Sequence, residues 1–352
     1  MQNNHFLLYG ANGYTGRLIA RMAAGYGLQP ILAGRNEKAL QEMSAELGYD
    51  YRVIDLSDKK ALEQALADVS VVLHAAGPFQ FTARKMIKAC LSTHTHYLDI
   101  TGEISVFESA KTYDTHAKEM GVMLMPGVGF DVVPTDCTAL YLKNQLPDAT
   151  HLKLAFATLG GKLSHGTATT MAENLGEGGA VRENGQIVRK PLGHKGFWVD
   201  FGSKKLFVMC IPWGDISTAY TTTGIPNIEA YTGSSPKTFS ILKWQFLFNW
   251  LLKTSFMRNR AKKRIKKLPP GPSDEMRAKA NSLVWGQVSN AKGETRTVRM
   301  QCPEGYTLTA MSSLLILQKV LSGNVSIGYQ TPAGKYGADL ILEIPGVSRE
   351  NV

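Results

Sequence analysis

Hydrophobic and polar positions alternate between two patterns over about the first 130 residues. Short and almost continuous apolar runs, such as Phe6–Tyr9 and Val69–Ala75, are typical of strands that are covered on both faces. The segments between these runs, Thr15–Ala24 among them, repeat apolar residues at helical spacing. This alternation predicts parallel β–α–β units with right-handed crossovers. We therefore expect an α/β fold that begins with a Rossmann-type parallel sheet with helices on both faces.

The pattern changes after about Leu146. Apolar and polar residues alternate in His151–Thr158 and Leu206–Ile211, which favours strands with one exposed face. Ser282–Ser289 and Thr295–Gln301 flank a short turn and predict a β-hairpin. We therefore expect a second α+β domain with a mostly antiparallel sheet.

The last part of the chain combines a predicted helix, about Thr309–Ser322, with a strand-like run, Asp339–Ile344. By analogy with two-domain dehydrogenases, we expect this helix to pack back on the first domain. The predicted boundaries are 1–146 for the dinucleotide-binding domain, 147–306 for the α+β substrate and dimerisation domain, and 307–352 for the returning C-terminal segment.

A glycine motif, G-x-x-G-x-x-G, lies between the first predicted strand and the first predicted helix. Its first glycine permits a tight turn, its second lets a pyrophosphate approach the backbone, and its third lets the helix pack on the strand. The N-terminus of the helix supplies free N–H groups and the positive end of the helix dipole. The motif therefore predicts a dinucleotide site. The expected contacts are Gly10, Asn12, Gly13, Tyr14, Thr15 and Gly16.

The end of the second strand distinguishes the two nicotinamide cofactors. NAD sites usually have an acidic residue there, whereas this chain has Arg35, which suits the 2′-phosphate of NADP. Asp55 follows the third strand and either accepts from the adenine amine or caps the next helix. Ligands bind at the carboxyl ends of parallel strands. Further cofactor contacts are therefore expected from Ala76, Gly77, Pro78, Phe79 and Gly102.

Two carboxylates, Asp99 and Asp131, follow the fifth and sixth predicted strands and are the main catalytic candidates. A carboxyl group with a raised pKa can donate a proton during hydride transfer. The alternative is that both hold loop N–H groups, while Asp136 caps a helix that begins near Cys137. Tyr306 is a third catalytic candidate, from the returning segment. The sequence contains no Tyr-x-x-x-Lys pair and no evident set of metal ligands.

Three N-terminal runs and two C-terminal runs resemble the saccharopine dehydrogenase-like oxidoreductases, the group that also includes trans-acting enoyl reductases. The runs are Tyr9–Gly16 with Ala33–Arg35, His96–Glu103, Pro126–Asp136, Pro303–Ala310 and Gln330–Ala333. The resemblance implies a Rossmann domain and an α+β domain, with the active site in the cleft. True saccharopine reductases space the glycines differently and have a run resembling G-L-D-P-G where this chain has Gly129–Asp131.

These observations predict an NADP(H)-dependent oxidoreductase that reduces an apolar acyl or carbonyl-conjugated small molecule, which includes lipid-like substrates. One alternative is an amino-acid dehydrogenase like saccharopine reductase. The other is a non-catalytic NADP-binding protein that associates with membrane or lipid. The four cysteines are dispersed, and no apolar run is long enough to span a bilayer. With no signal peptide at the first residues, we expect a cytoplasmic protein.

Residues 241–267 are the most unusual stretch of the chain. An apolar and aromatic run over Ile241–Leu252 is followed by eight Lys and Arg residues without an acid. An interfacial helix would place such aromatics among lipid headgroups and such cations against anionic lipid. A subunit interface or a pocket cover would use the same apolar residues. We expect a homodimer, and for this segment peripheral membrane contact and protein packing are alternatives. We expect no binding of nucleic acid, because no reading motif accompanies the charge.

Overall fold

The structure, a computed structural model, describes residues 5–352 and divides into two compact units. The first unit contains the residues up to Val133 together with Tyr306–Lys335. The second contains Pro134–Gly305 together with Tyr336–Val352.

The first unit contains a parallel sheet of seven strands in the order β15-β6-β5-β4-β1-β2-β3. Its strands are β1 His5–Tyr9, β2 Gln29–Gly34, β3 Tyr51–Val53, β4 Val71–His74, β5 His96–Asp99, β6 Met123–Met125 and β15 Gly328–Tyr329. Every residue of β4 is buried, as its almost continuous apolar run predicts. The Rossmann-type sheet expected from the sequence is confirmed.

Helices cover this sheet, and two of them begin after a residue whose side chain caps the helix. The helices are α1 Tyr14–Ala23, α2 Glu37–Leu47, α3 Lys59–Leu66, α4 Phe79–Thr93, α5 Ile104–Lys111, α6 Asp114–Glu119 and α14 Gly305–Leu321. Asn36 accepts a hydrogen bond from Ala39 N at the start of α2, and Asp58 accepts one from Ala61 N at the start of α3. Short 3₁₀ turns lie at Ala24–Tyr26 and, in the second unit, at Gln245–Leu247 and Leu340–Glu343.

The second unit contains a largely antiparallel sheet in the order β10-β11-β12-β7-β13-β14-β16, in which only β12 and β7 run parallel among the described strands. The hairpin of β8 and β9 pairs with β12. The strands are β7 His151–Leu159, β8 Gly179–Glu183, β9 Gln186–Lys190, β10 Gly196–Asp200, β11 Lys205–Ile211, β12 Asn227–Gly233, β13 Asn281–Ser289, β14 Thr295–Pro303 and β16 Ser348–Asn351. The predicted hairpin is confirmed as β13 and β14.

Most helices of the second unit are short. They are α7 Val133–Gln145, α8 His165–Glu173, α9 Asp215–Thr223, α10 Pro236–Leu242, α11 Asn249–Leu252, α12 Ser255–Ile265 and α13 Asp274–Lys279, while α15 Pro332–Tyr336 lies at the unit boundary. Ala139 and Leu142 of α7 pack in one core with Leu152 and Leu154 of β7. For this reason the chain enters the second unit at Pro134 rather than after the predicted residue 146.

The C-terminal segment differs from its prediction in two ways. Helix α14 and strand β15 return to the first unit, but 336–352 belongs to the second, because β16 pairs with β14. The strand predicted at Asp339–Ile344 is wrong, since Leu340–Glu343 forms a 3₁₀ turn with Leu340 and Ile341 buried. A short apolar run does not distinguish a strand from a buried turn of helix.

Candidate cofactor and active site

The loop between β1 and α1 requires glycine at the positions that the motif marks. Gly10 has φ +86°, and its N–H donates to the carbonyl oxygen of Ala33 at 2.8 Å. A Cβ on Gly10 would lie 2.8 Å from the backbone nitrogen of Ala76, and a Cβ on Gly16 would lie 2.2 Å from the carbonyl oxygen of Gly10. Gly13 is exposed at the N-cap of α1. The loop is therefore closely packed at Gly10 and Gly16, while the backbone at Gly13 remains accessible.

The N-terminus of α1 has the donors that a pyrophosphate requires. Its cap residue has no side chain, and no side-chain hydrogen bond caps the helix. A helix N-terminus without such a cap can offer N–H groups to a ligand, with the positive end of the helix dipole behind them. The exposed Asn12 lies beside this loop, with its Oδ1 atom 3.0 Å from where a Cβ on Gly34 would be. These residues fit a dinucleotide.

Tyr306 lies beside the same helix terminus. Its ring packs edge to face on the ring of Tyr14, with centroids 5.0 Å apart and an interplanar angle of 81°. Both side chains are half-buried. The structure thus brings one of the predicted catalytic residues to the predicted cofactor loop.

Arg35 and Asp55 lie at the ends of β2 and β3. Arg35 is exposed, and its guanidinium forms no hydrogen bond or ion pair with any residue from His5 to Val352, so it is available to an anionic ligand. Asp55 Oδ1 accepts from the backbone nitrogen and the hydroxyl of Ser57, both at 2.8 Å. These bonds hold the pKa of Asp55 below its usual value, with a smaller contribution from the charge of Arg35. The alternative that Asp55 caps the next helix is wrong, because Asp58 caps it.

The loop after β4 contains the predicted contacts Ala76 to Phe79, with a cis peptide between Gly77 and Pro78. The carboxylate of Glu103 accepts from the backbone nitrogens of Phe79, at 2.7 Å, and Gln80, at 3.0 Å. Glu103 therefore caps α4 with a charge from the protein itself. Of the N-termini of α1 and α4, only that of α1 has no side-chain cap. The α1 terminus is therefore the one that suits phosphate, which supports the assignment from the glycine motif.

Asp99 holds two loops together from a fully buried position. Its Oδ2 atom accepts from the hydroxyl of Tyr97 at 2.6 Å, and its Oδ1 atom accepts from the backbone nitrogens of Thr101 and Gly127, both at 2.9 Å. Burial raises the pKa of Asp99 to about 6 despite these bonds. Nδ1 of the buried His74 lies 3.3 Å from the same Tyr97 hydroxyl. Since Asp99 has no solvent exposure, this geometry favours the holding role over contact with substrate.

Asp131 lies in the loop after β6 and is partly exposed. Its Oδ2 atom would be 2.5 Å from a Cβ on Gly102, so the absence of a side chain at Gly102 makes room for this carboxyl group. Burial, and then the negative charge of Glu103, raise the pKa of Asp131 to about 7. The loop is supported by α14, whose Thr309 hydroxyl accepts from the backbone nitrogen of Phe130 at 3.0 Å. Near neutral pH, Asp131 therefore exists in both protonation states.

Asp136 and Cys137 belong to the second unit, whereas Asp99 and Asp131 belong to the first. Helix α7 begins at Val133, so the predicted capping role of Asp136 is wrong. Instead Asp136 is buried and accepts from the hydroxyl of Thr222 at 2.6 Å. Burial raises the pKa of the Cys137 thiol, which is not a reactive thiolate. Within residues 5–352, no group of three His, Cys, Asp or Glu side chains could hold a metal ion.

Sequence reasoning gave no role to Tyr97 or Thr309, and it placed Glu103 among the candidate residues near the ends of the fifth and sixth strands without the capping role that the structure shows. The first of these had a detectable signal, because Tyr97 and Asp99 are two residues apart on one strand and must lie on the same face. The contacts of Glu103 and Thr309 join segments that lie far apart along the chain, and no local pattern indicates them.

Residues 241–267 do not form a single helix, which was the form that the interfacial alternative used. The chain is broken into the end of α10, a 3₁₀ turn at Gln245–Leu247, α11 and α12. A cavity of about 400 Å³ lies beside it and is lined in part by Phe246, Trp250 and Lys253. In the described part of the chain, no helix is long and apolar enough to span a bilayer.

Comparison with known proteins confirms the resemblance seen in the sequence. Residues 6–125 match the family model of the saccharopine dehydrogenase NADP binding domain. A solved structure of saccharopine dehydrogenase (L-Glu forming) from Saccharomyces cerevisiae covers 99% of this chain and 100% of its own, with a TM-score of 0.68 and 13% identity. At that identity the likeness shows the fold. Residues 6–125 of the first unit are thus similar to an NADP-binding domain of the saccharopine dehydrogenase type.

Two curated relatives match over shorter stretches. A protein of Caenorhabditis elegans named lipid droplet localized protein is 29% identical over 211 residues, which are 54% of this chain and 49% of that protein. A trans-acting enoyl reductase of Mycobacterium bovis is 33% identical over 144 residues, which are 39% of this chain and 34% of that protein. The chain therefore matches at most about half the length of these relatives.

Proposed function

We propose that this chain, whose residues 6–125 are similar to the NADP-binding domain of saccharopine dehydrogenases, is an NADP(H)-dependent reductase of an apolar acyl or carbonyl-conjugated substrate. The observation that carries this proposal is the carboxyl group of Asp131. It lies at the carboxyl end of the parallel sheet, where ligands of such sheets bind, and its pKa is about 7. A general acid works best when its pKa is close to the working pH.

The proposal assigns the cofactor to the glycine loop. Gly13 and the first turn of α1 would hold the pyrophosphate, and Arg35 would pair with the 2′-phosphate, which gives a preference for NADP over NAD. Asp55, Gly102 and the loop of Ala76 to Phe79 would line the rest of the path. When bound, NADPH supplies a hydride.

The chain itself would manage the proton. Reduction of a conjugated double bond adds a hydride to one carbon and a proton to the other. Asp131 would donate that proton and then take another from solvent, to which the residue is partly exposed. Asp99 would act as a positioning residue that fixes the loops on either side of Asp131. Tyr306 would line the site from its position against Tyr14.

Two observations favour an apolar substrate over an amino acid. A substrate with carboxylates would need an arginine clamp, but in the described residues of the first unit Arg17, Arg21 and Arg52 are already paired with acids. Arg84 donates to the hydroxyl of Tyr113, and Arg35 is assigned to the cofactor. In addition, the printed names of two relatives refer to enoyl reduction and to lipid droplets. We propose a lipid-like small molecule as the substrate class.

We further propose that the protein is cytoplasmic and contacts a membrane peripherally through 241–267. The support is the composition of that segment and the name of the C. elegans relative. The homodimer expected from the sequence stays a prediction.

The test of the reductase is NADPH oxidation, screened against enals, enoyl thioesters and keto acids. With the best substrate, Asp131→Asn should bind NADPH normally but turn over about 100-fold more slowly, as expected for the loss of a general acid. The control is Asp68→Asn, the same substitution at an exposed carboxylate. Unchanged turnover in Asp131→Asn would eliminate that residue as the acid. If the wild type binds NADPH and oxidises it with no compound of the screen, the non-catalytic alternative is favoured.

A further inference from the structure

The segment 236–268 is here named the aromatic–basic platform. It exposes large apolar side chains and buries a polar one, which is the opposite of an ordinary globular surface. Trp244, Phe246 and Trp250 are 61%, 66% and 69% exposed. Gln245, which lies between two of them, is only 7% exposed. Monomeric soluble proteins rarely expose such a contiguous apolar patch unless it meets a partner or a membrane. Further exposed apolar side chains of the platform are Ile241, Leu247, Leu251, Phe256 and Leu268.

The buried polar side chain anchors this arrangement. Gln245 accepts from the backbone nitrogen of Leu192 at 3.1 Å and donates to the carbonyl oxygen of the same residue at 2.8 Å. It also donates to the carbonyl oxygen of Leu242 at 2.8 Å. These bonds fix the chain at the centre of the aromatic run. The neighbouring rings are thereby held outward by the fold.

Ion pairs fix the second half of the platform to the helix and loop beside it. Arg258 donates to Glu177 at 2.5 Å and to the carbonyl oxygen of Leu175 at 3.0 Å. Lys262 donates to Glu173 of α8 at 2.8 Å. The nearby acids are therefore already engaged by cations that face inward.

The remaining cations face solvent, and the platform accounts for the net charge of the protein. Residues 236–268 contain ten Lys and Arg and no acid, so the rest of the chain has 29 basic and 29 acidic side chains and its formal charge balances. The whole formal charge of +10 thus resides in this one segment. The exposed cations of the platform that make no ion pair with a described residue are Lys237, Lys243, Arg260, Lys263, Arg264, Lys266 and Lys267.

We infer that the aromatic–basic platform docks on an anionic phospholipid surface, with its aromatic and aliphatic side chains at the headgroup boundary and its free cations against the lipid phosphates and carboxylates. Interfacial Trp and Phe beside Lys and Arg are the combination that such a surface recognises. This inference rests on the proposed peripheral membrane contact and does not depend on the reductase activity.

Charge also distinguishes this occupant from the alternatives. A two-fold symmetric dimer through the platform would bring the seven unpaired cations of one copy against the seven of the other, which is unfavourable. Single-stranded nucleic acid stacks on aromatic rings, but it gives no reason for the exposed aliphatic side chains Ile241, Leu247 and Leu251. An anionic lipid surface uses the rings, the aliphatic side chains and the cations together.

The experiment is vesicle flotation of the full chain with two compositions, phosphatidylcholine alone and an equimolar mixture with phosphatidylserine. The wild type should float with the mixed vesicles and not with phosphatidylcholine, and added salt should weaken binding. The triple variant Lys263→Gln, Lys266→Gln and Lys267→Gln should bind about 100-fold more weakly, because each cation near an anionic surface contributes about fivefold. Circular dichroism and the melting temperature of each variant check that the fold is retained.

A matched charge control separates local from total charge. Lys60→Gln, Lys88→Gln and Lys204→Gln remove three exposed and unpaired cations elsewhere, give the same total charge, and should leave flotation unchanged. For the apolar contribution, Phe246→Ser should weaken flotation while Phe81→Ser, at a similarly exposed phenylalanine outside the platform, should not.

Four results would overturn the inference. They are a wild type that ignores mixed vesicles, equal flotation with both compositions, equal loss in the two triple variants, and displacement from vesicles by a single-stranded oligonucleotide that binds more tightly. Conversion of a wild-type dimer to a monomer by Phe246→Ser, with flotation unchanged, would assign the platform to a second copy. NADPH binding and turnover report separately on the reductase, so its failure would not be mistaken for failure of docking.

Discussion

Replacing Asp131 by Asn should stabilise the protein at neutral and alkaline pH, even though it removes the proposed acid. The wild-type carboxyl group has a pKa of about 7 in the folded protein against an ordinary value of 3.8. Its charged form is therefore disfavoured by folding, and the native state holds a proton more tightly than the unfolded chain. The wild type should lose stability as the pH rises from about 4 to about 7, and level off above that.

The size of this effect follows from the same pKa values. The shift is about three pKa units, and each unit corresponds to about 1.4 kcal/mol, which gives an upper limit of about 4 kcal/mol above pH 7. Partial exposure of the residue to solvent makes the real value smaller. Asn does not titrate, so the variant lacks this pH-dependent loss.

The measurement is the free energy of urea unfolding of both proteins across that pH range. The free energy of unfolding of the variant minus that of the wild type should be smallest near pH 4 and should increase up to about pH 7. Asp55→Asn is a control of opposite sign, because hydrogen bonds from Ser57 lower the pKa of Asp55 and its charge favours folding. A difference for Asp131→Asn that does not change with pH would refute the reasoning that its charge is desolvated.

The other predictions concern the cofactor loop. Arg35→Ala should weaken NADPH binding by about 1.5–3 kcal/mol and leave NADH binding unchanged, measured by fluorescence titration with Arg296→Ala as control; an intact NADPH preference would remove Arg35 from the site. Gly13→Val should abolish NADPH binding with the fold retained, because a side chain would occupy the pyrophosphate's approach. Gly16→Ala should lower thermal stability, since its Cβ would lie 2.2 Å from a carbonyl oxygen, whereas Gly25→Ala meets no atom within 4 Å; equal melting temperatures would contradict the close approach.

The parts of the molecule that are encoded locally could be predicted from the sequence. The parallel sheet follows from runs such as Val69–Ala75, and the cofactor loop follows from three glycines between a strand and a helix. Both depend on residues that are close together along the chain, whose spacing determines their structure.

The sequence was less informative where the deciding contact is distant. The role of Glu103 depends on backbone nitrogens at Phe79 and Gln80, which no spacing rule connects to it. The domain boundary depends on which unit contains the core in which α7 packs. The apolar residues of α7 alone do not determine that. Asp55 and Asp58 are both suitable N-cap residues, and only the position of the first helical turn selects Asp58.

Strand β15 has a consequence for how this protein is made. It pairs with β6 at the edge of the first sheet and is held by Asp114, whose carboxylate accepts from the backbone nitrogen of Tyr329 at 2.8 Å. A ribosome therefore releases six strands of that sheet long before the seventh, and the edge of β6 has no β15 to pair with until synthesis passes residue 329. A fragment cut to the 6–125 stretch would keep that open edge permanently, which makes it a poor substitute for the complete first unit and a candidate for aggregation.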